Sequence, residues 1–149
     1  MTSGKALKTT LTSVFRRKGG NGQQMRLFDD LEPAQKQALL NMVPLGGEEL
    51  PVIGSFENSA KWLLLTTERL TWNSGSKSES LSAQEIRDAV VDFAAMQQRG
   101  ETKLQLRQLQ VESLRGDQYT IQVEEGLPLS GTWNVLKSLG ARNRGRATG

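Results

Sequence analysis

The stretch that decides the fold is Trp62-Leu63-Leu64-Leu65-Thr66-Thr67-Glu68-Arg69-Leu70-Thr71-Trp72. With Lys61 before it, the first part is a continuous apolar run short enough for a buried strand. Thr66-Thr67-Glu68-Arg69 is polar and reads as a turn. Leu70-Thr71-Trp72 then goes apolar, polar, apolar, the alternation of a second strand. Two strands joined by a tight turn place a β-hairpin at the centre of the chain.

Upstream, Leu50, Val52 and Ile53 give a further strand, and Pro51 within it favours a sheet edge because proline lacks the N–H a ladder needs. Asp29-Asp30-Leu31-Glu32-Pro33 opens a helix. Asp30 suits its cap, Pro33 its first turn, and Glu32 and Lys36 an i,i+4 pair. Leu31, Ala34, Ala38 and Met42 form a stripe of helical period that runs to about Val43 and stops at Pro44 and Gly46-Gly47. This helix is expected to pack as an appendage to the strands.

Downstream, Ser74-Gly75-Ser76-Lys77-Ser78-Glu79-Ser80 has nothing to bury and reads as a solvated loop. Leu81 to Gly100 has two readings. Ser82-Ala83-Gln84-Glu85 matches a capping box, with Ile86, Val90 and Phe93 at helical spacing and Gly100 as a stop. Equally, Ala89-Val90-Val91-Asp92-Phe93 suits a strand after one helical turn. Leu104 and Leu106 alternate on one phase and Leu109 and Val111 on the other, so a bulge or bend is expected at Arg107-Gln108. Arg115-Gly116-Asp117 is a hairpin turn before the alternating Tyr119, Ile121 and Val123. Gly126-Leu127-Pro128 breaks the strand. Ser130 then caps a closing helix with Trp133, Leu136 and Leu139 on one face and Gly140 at its end.

Charge is segregated along the 149 residues. Residues 1–28 hold Lys5, Lys8, Arg16, Arg17, Lys18 and Arg26 with no acid, and residues 137–149 hold Lys137, Arg142, Arg144 and Arg146 with no acid. Residues 29–136 hold nine bases against sixteen acids. An acidic body thus lies between two basic arms. Arg16 to Gln24, rich in glycines and amides, reads as a flexible linker. Leu7, Leu11, Val14 and Phe15 lie at i, i+4, i+7 and i+8 among Lys and Arg. Three readings stand for this arm: a disordered tail, a basic amphipathic helix for an anionic surface or acidic partner, and an organelle transit peptide.

Composition narrows the chemistry. The chain has no Cys and no His, so disulfides, thiolate metal sites and the commonest general base are absent. There is no nucleophile elbow, no Ser-x-x-Lys and no phosphate-cradling Gly-x-x-x-x-Gly-Lys. No cofactor or metal site is expected, and the chain reads as no enzyme. No apolar run reaches the ~18 residues of a membrane span, and the first residues lack the apolar core of a secretory signal. A cytoplasmic protein is expected. Trp62, Trp72 and Trp133 read as core rather than as an aromatic binding box. Sequence-specific nucleic-acid binding is not expected, because the arms lack stacking aromatics apart from Phe15 and the body is acidic.

The helix, the acidic Glu48-Glu49 lead-in and Leu65-Thr66-Thr67-Glu68-Arg69-Leu70, an apolar strand, a Thr-x-x-Arg turn and a second apolar strand, resemble the bacterial pleckstrin-homology-like domains. The resemblance covers about residues 48–140. It implies a mainly β, α+β fold, a bent antiparallel sheet approaching a partly open barrel, capped by the C-terminal helix and preceded by an extra N-terminal helix. It also implies a turn followed by a strand for Leu81–Gly100. The expected organisation is a basic flexible arm (1–28), a helix and linker (29–47), the resembling domain (48–140) and a basic flexible tail (141–149).

Lipid-binding members of that family hold phosphoinositides with a basic cluster near the first hairpin, where this chain has only Lys61 and Arg69, beside Glu57 and Glu68. The expectation is therefore a non-catalytic protein-binding or adaptor module with an immunity or regulatory role. It would engage its partner through a sheet edge or the groove beside the final helix. The alternative is peripheral membrane association through the basic N-terminal arm. The candidate contact residues are Lys5, Lys8, Arg16, Arg17, Lys18, Lys61 and Arg69.

Overall fold

The computed structural model describes residues 4–75, 77–91, 98, 100 and 107–148. In chain order these form helix α1 (Gly4–Lys18), strand β1 (Arg26–Leu27), a 3-10 turn (Phe28–Asp30) and helix α2 (Pro33–Met42). Strands β2 (Pro51–Asn58), β3 (Lys61–Thr66), β4 (Arg69–Ser74) and β5 (Ser78–Ser82) follow. A second 3-10 turn (Ala83–Glu85) leads to β6 (Ile86–Val90), β7 (Gln108–Ser113), β8 (Gln118–Gln122) and helix α3 (Leu127–Thr148). The fold is α+β, with two antiparallel sheets, β1-β2-β3-β4-β5 and β6-β7-β8. No hydrogen-bonded strand pair joins the two among the described residues, so the sheets do not close into one barrel.

The central hairpin forms as its sequence dictates. Leu63 pairs with Trp72 and Leu65 with Leu70 across β3 and β4. Every β3 residue from Trp62 to Thr66 is buried, because both faces of the sheet are covered. Leu63, Leu65, Leu70 and Trp72 point into a main core shared with Ile86, Leu109, Val111 and Ile121 of the second sheet. Trp62 and Leu64 point to the opposite face, where Phe28, Leu31, Leu39 and Val43 form a smaller core. A strand covered on both sides must be apolar at consecutive positions, and that is why this run does not alternate.

Helix α2 is the cover of that outer face, but not with the expected stripe. Ala34 and Met42 are exposed, and Leu39 and Val43 are buried instead. Leu39 settles over Gly54, where a Cβ would come within 2.7 Å of its Cδ1 atom. The helix starts at Pro33 and its cap is Glu32, two residues later than the expected Asp30, with the Gln35 side chain accepting the Glu32 N–H. Pro51 fits an otherwise interior strand because β1 pairs only with Ile53 and Gly54.

The serine-rich segment is shorter as a loop than expected. Ser78 to Ser82 form β5, a polar strand at the sheet edge, as exposed edges require to avoid pairing with other chains. Between Leu81 and Val91 the chain makes one 3-10 turn and then β6, the order of the second reading, but the strand runs from Ile86 to Val90 rather than from Ala89 onward; Asp92 and Phe93 lie outside the described residues. So do Leu104 and Leu106, and with them the first half of the phase slip. The Arg115-Gly116-Asp117 hairpin turn is present, with Gly116 at φ +93°.

Both arms differ from expectation in the same way. Helix α3 begins at Leu127, not Ser130, and passes through Gly140 to Thr148. Gly140 does not end it but lets it approach β6, since a Cβ there would sit 2.2 Å from the Arg87 carbonyl oxygen. The N-terminal arm is a helix rather than a flexible tail, with Leu11 and Phe15 wholly buried in the main core. α1 and α3 pack side by side in opposite directions. Gly4 and Leu7 share a cleft with Leu139, Arg142 and Arg146, while Phe15 rests on Gly131.

The glycine-rich linker is clamped. Glu124 accepts three successive backbone N–H groups, from Gln23 at 2.8 Å, Gln24 at 2.7 Å and Met25 at 2.8 Å. A Cβ at Gly19 would lie 2.3 Å from the Leu127 carbonyl oxygen. The glycines here permit contact with α3 rather than motion.

Candidate functional site

Helix α1 divides its residues between two environments. Leu11 and Phe15, one turn apart, are anchored in the core, and Leu7 and Val14 pack beside them. Arg16, Arg17 and Lys18 occupy the last turn, where cations complement the partial negative charge of the helix C-terminus. The outward face carries Lys5, Lys8, Thr9, Thr12, Ser13, Arg16 and Arg17. With Asp29 and Leu50 these residues line an open groove of about 770 Å³. Its only ion pair among the described residues is Lys8 with Asp29, at 3.0 Å. Thr9 donates its hydroxyl to the Lys5 carbonyl at 3.0 Å, and Arg17 donates Nε–H to the Ser13 carbonyl at 3.4 Å.

Four of the seven expected contact residues, Lys5, Lys8, Arg16 and Arg17, therefore meet in one groove, and the other three lie elsewhere. Lys18 is exposed at the end of α1, and its carbonyl accepts the Ser130 hydroxyl at 2.6 Å. Lys61 is half-exposed at the start of β3 and pairs with Glu57 at 3.4 Å. Arg69 belongs to the fold. Its Nε and a terminal nitrogen donate to Glu49 at 2.9 and 3.1 Å, and the same terminal nitrogen donates to the Pro44 carbonyl at 2.7 Å.

Glu49 is 6% exposed. Burial pushes its carboxyl up, but hydrogen bonds from Arg69, Thr66 and the Gly46 N–H, with the Arg69 charge, outweigh that and hold it below the usual carboxylate range. Thr66 Oγ1 also accepts the N–H groups of Glu68 at 3.1 Å and Arg69 at 3.0 Å. The Thr-x-x-Arg turn thus caps its own backbone and ties down the loop before β2. Glu124 follows the same pattern. Burial raises its carboxyl, and the three backbone N–H groups with the Arg26 charge bring it below the ordinary value.

Along β6, the final helix covers the strand edge with its own side chains. Trp133 Nε1–H donates to the Ala89 carbonyl at 2.7 Å, and the buried Asn143 amide donates to the Ala83 and Ile86 carbonyls at 2.7 Å each. Arg144 donates to the Arg87 carbonyl. Side chains of α3 therefore occupy the β6 edge, where an added strand would bind.

A second cleft, of about 260 Å³, opens at the far ends of β3 and β4 and includes Trp62, Trp72, Asn73, Gln122 and Glu124. The Trp62 indole N–H is buried with no hydrogen-bond partner among the described residues. The three tryptophans do not form one box. Trp62 is in the outer core, Trp72 in the main core edge-on to Tyr119 at 5.6 Å, and Trp133 against β6.

The cations of α1 are evident in the sequence as a run of charge, while the structural duties of Glu49 and Glu124 are not. Glu49 was visible only as part of an acidic lead-in. For Glu124, a single glutamate one hundred residues from its partners, no sequence signal exists. Among the described residues no group of three or more acidic side chains is arranged to hold a metal ion, and no helix is long and apolar enough to cross a membrane. No family model, curated protein or solved structure matches the chain.

Proposed function

We propose that the chain is a non-catalytic, cytoplasmic protein-binding module of pleckstrin-homology-like type, serving as an adaptor or regulator. One observation carries this reading: among the described residues, the two carboxylates with shifted acidity are consumed by the fold, while cations that make no ion pair there collect on an outer helical face. Glu49 is saturated by Arg69, Thr66 and Gly46, and Glu124 by three backbone N–H groups. Groups held in this way stabilise loops and are not free to move protons. Lys5, Arg16 and Arg17, by contrast, present charge to whatever docks there. The family likeness is supported in kind by two antiparallel sheets around a shared core and by a terminal helix laid over one of them.

Membrane association by insertion of the arm finds less support, because the apolar stripe it needs, Leu11 and Phe15 above all, is buried inside the protein. Only the electrostatic half of that mechanism remains.

The test is affinity capture on the immobilised full chain, followed by reconstitution with the purified candidate and titration calorimetry. A saturable complex of fixed stoichiometry is expected. Absence of any such complex, or turnover of a substrate in a broad hydrolase screen, overturns the reading.

A further inference from the structure

The groove along α1 has a chemistry that selects among partners. Lys5, Lys8, Thr12 and Arg16 follow one another at about one turn each, so they mark a row with a repeat of about 5.4 Å over roughly 16 Å of helix. Hydroxyls of Thr9, Thr12 and Ser13 lie between the charged groups. An extended peptide presents alternate side chains on one side at intervals of about 6.6 Å. The reach of Lys and Arg absorbs the difference, so about six residues of extended acidic chain, at about 3.3 Å each, would span the row.

Three observations separate an acidic peptide from other anions. Among the described residues the groove has no aromatic side chain, and so lacks the stacking platform of single-strand nucleic-acid binders. The rest of the body, residues 29–136, holds sixteen acids against nine bases, which opposes a long duplex. Among the described residues the exposed large apolar side chains, Met42, Val90, Leu114 and Leu127, are not in the groove, so a bilayer would meet charge there without an anchor. Asp29 is the one carboxylate of the lining, and Lys8 neutralises it at 3.0 Å.

We infer that the outer face of α1 is the docking site for an acidic peptide segment of a protein partner, read by Lys5, Lys8, Arg16 and Arg17. This rests on the protein-binding reading above and adds the surface and the partner's chemistry.

The test uses the full chain and a fluorescent decapeptide of alternating Glu and Ser. A Gln/Ser decapeptide, a single-stranded thymidine oligonucleotide and phosphatidylserine-containing vesicles serve as comparison arms. The Glu/Ser peptide is expected to bind most tightly, with affinity falling as salt rises. The double variant K5E/R16E should weaken it by roughly tenfold or more, while K61E leaves it unchanged. The three substituted residues are exposed; should the reversal variant unfold, K5Q/R16Q replaces it and a severalfold loss is expected. No binding of the Glu/Ser peptide, an equal affinity for the variants, or tighter binding of the oligonucleotide or vesicles overturns the assignment. A purified protein partner that binds wild type and K5E/R16E equally sinks this site and leaves the binding-module reading standing. A chain that forms no protein complex at all removes that reading.

Discussion

Glu49 and Arg69 join two loops that the chain order separates by twenty residues. Arg69 reaches the carboxylate through two nitrogens, at 2.9 and 3.1 Å, while Thr66 supplies a third donor at 2.5 Å. The carboxylate is almost fully buried and the guanidinium is about one-third exposed. Removing the arginine leaves a buried acid with only Thr66 and Gly46 as partners. Arg69→Ala is therefore expected to cost about 2–3 kcal/mol, below the full price of a wholly buried pair because Arg69 touches solvent. Arg69→Lys recovers only part of this, since an ammonium cannot present two fixed parallel donors. Urea denaturation of the three proteins measures the order, and equal midpoints would refute it.

Glu49 and Glu124 also set the acid limb of stability. Both carboxyls titrate lower in the folded chain than in the unfolded one. The unfolded state then binds more protons, so folding stability rises with pH across this window. Their contribution is full above the unfolded carboxylate pKa, about 4.3, and is lost as pH falls through their folded values. With no His in the chain, no imidazole adds a step near neutrality. Denaturation midpoints are expected to be flat from about pH 6 to 8 and to decline below about pH 5. Glu49→Gln and Glu124→Gln should each flatten that decline. An unchanged acid slope in both variants contradicts the assignment.

How far the sequence led can be judged at particular residues. The β3–β4 hairpin, the Arg115–Asp117 turn and β8 were legible because each rests on local pattern: an apolar run, a glycine at positive φ, a strict alternation. Helix α2 was legible in extent but not in facing, because Leu39 is selected by the space above Gly54, a contact outside the helix. The arms were misread for a related reason. Gly19 and Gly22 look flexible until α3 is laid against them, Gly131 looks helix-weakening until Phe15 of α1 rests on it, and Glu124 cannot announce that it will clamp residues 23–25. The candidate site was half legible: the cations of α1 were evident, and their separation from Lys61 and Arg69 was not.

The seat of Phe15 on Gly131 tests whether α1 is an integral part of the fold. A Cβ on Gly131 would lie 2.7 Å from one ring carbon of Phe15 and 2.9 Å from another, too close without displacement. Gly131→Ala is expected to destabilise by about 1–3 kcal/mol despite its better helix propensity. Phe15→Ala should cost about 3–5 kcal/mol through loss of a fully buried ring. The two are expected to be strongly non-additive, since the smaller side chain at 15 removes the clash at 131. A simple sum of the two losses in a double-mutant cycle would show that α1 does not sit on α3 in solution.

Two tryptophans make opposite use of the indole nitrogen, which separates their packing from their hydrogen bonding. In Trp62 the N–H is buried with no partner among the described residues, so Trp62→Phe breaks no hydrogen bond to them and chiefly removes volume. A loss of about 1 kcal/mol is expected. Trp133 donates to the Ala89 carbonyl at 2.7 Å and carries the Lys137 ammonium 5.7 Å from its ring centre. Trp133→Phe strands the carbonyl of an edge strand that α3 otherwise covers, and should cost more, about 2 kcal/mol. It should also speed hydrogen exchange in β6 while leaving β3 unaffected, because losing the bond frees one strand edge and disturbs nothing across the main core. Equal losses for the two substitutions, or exchange that rises uniformly over both sheets, would mean that α3 does not guard the β6 edge.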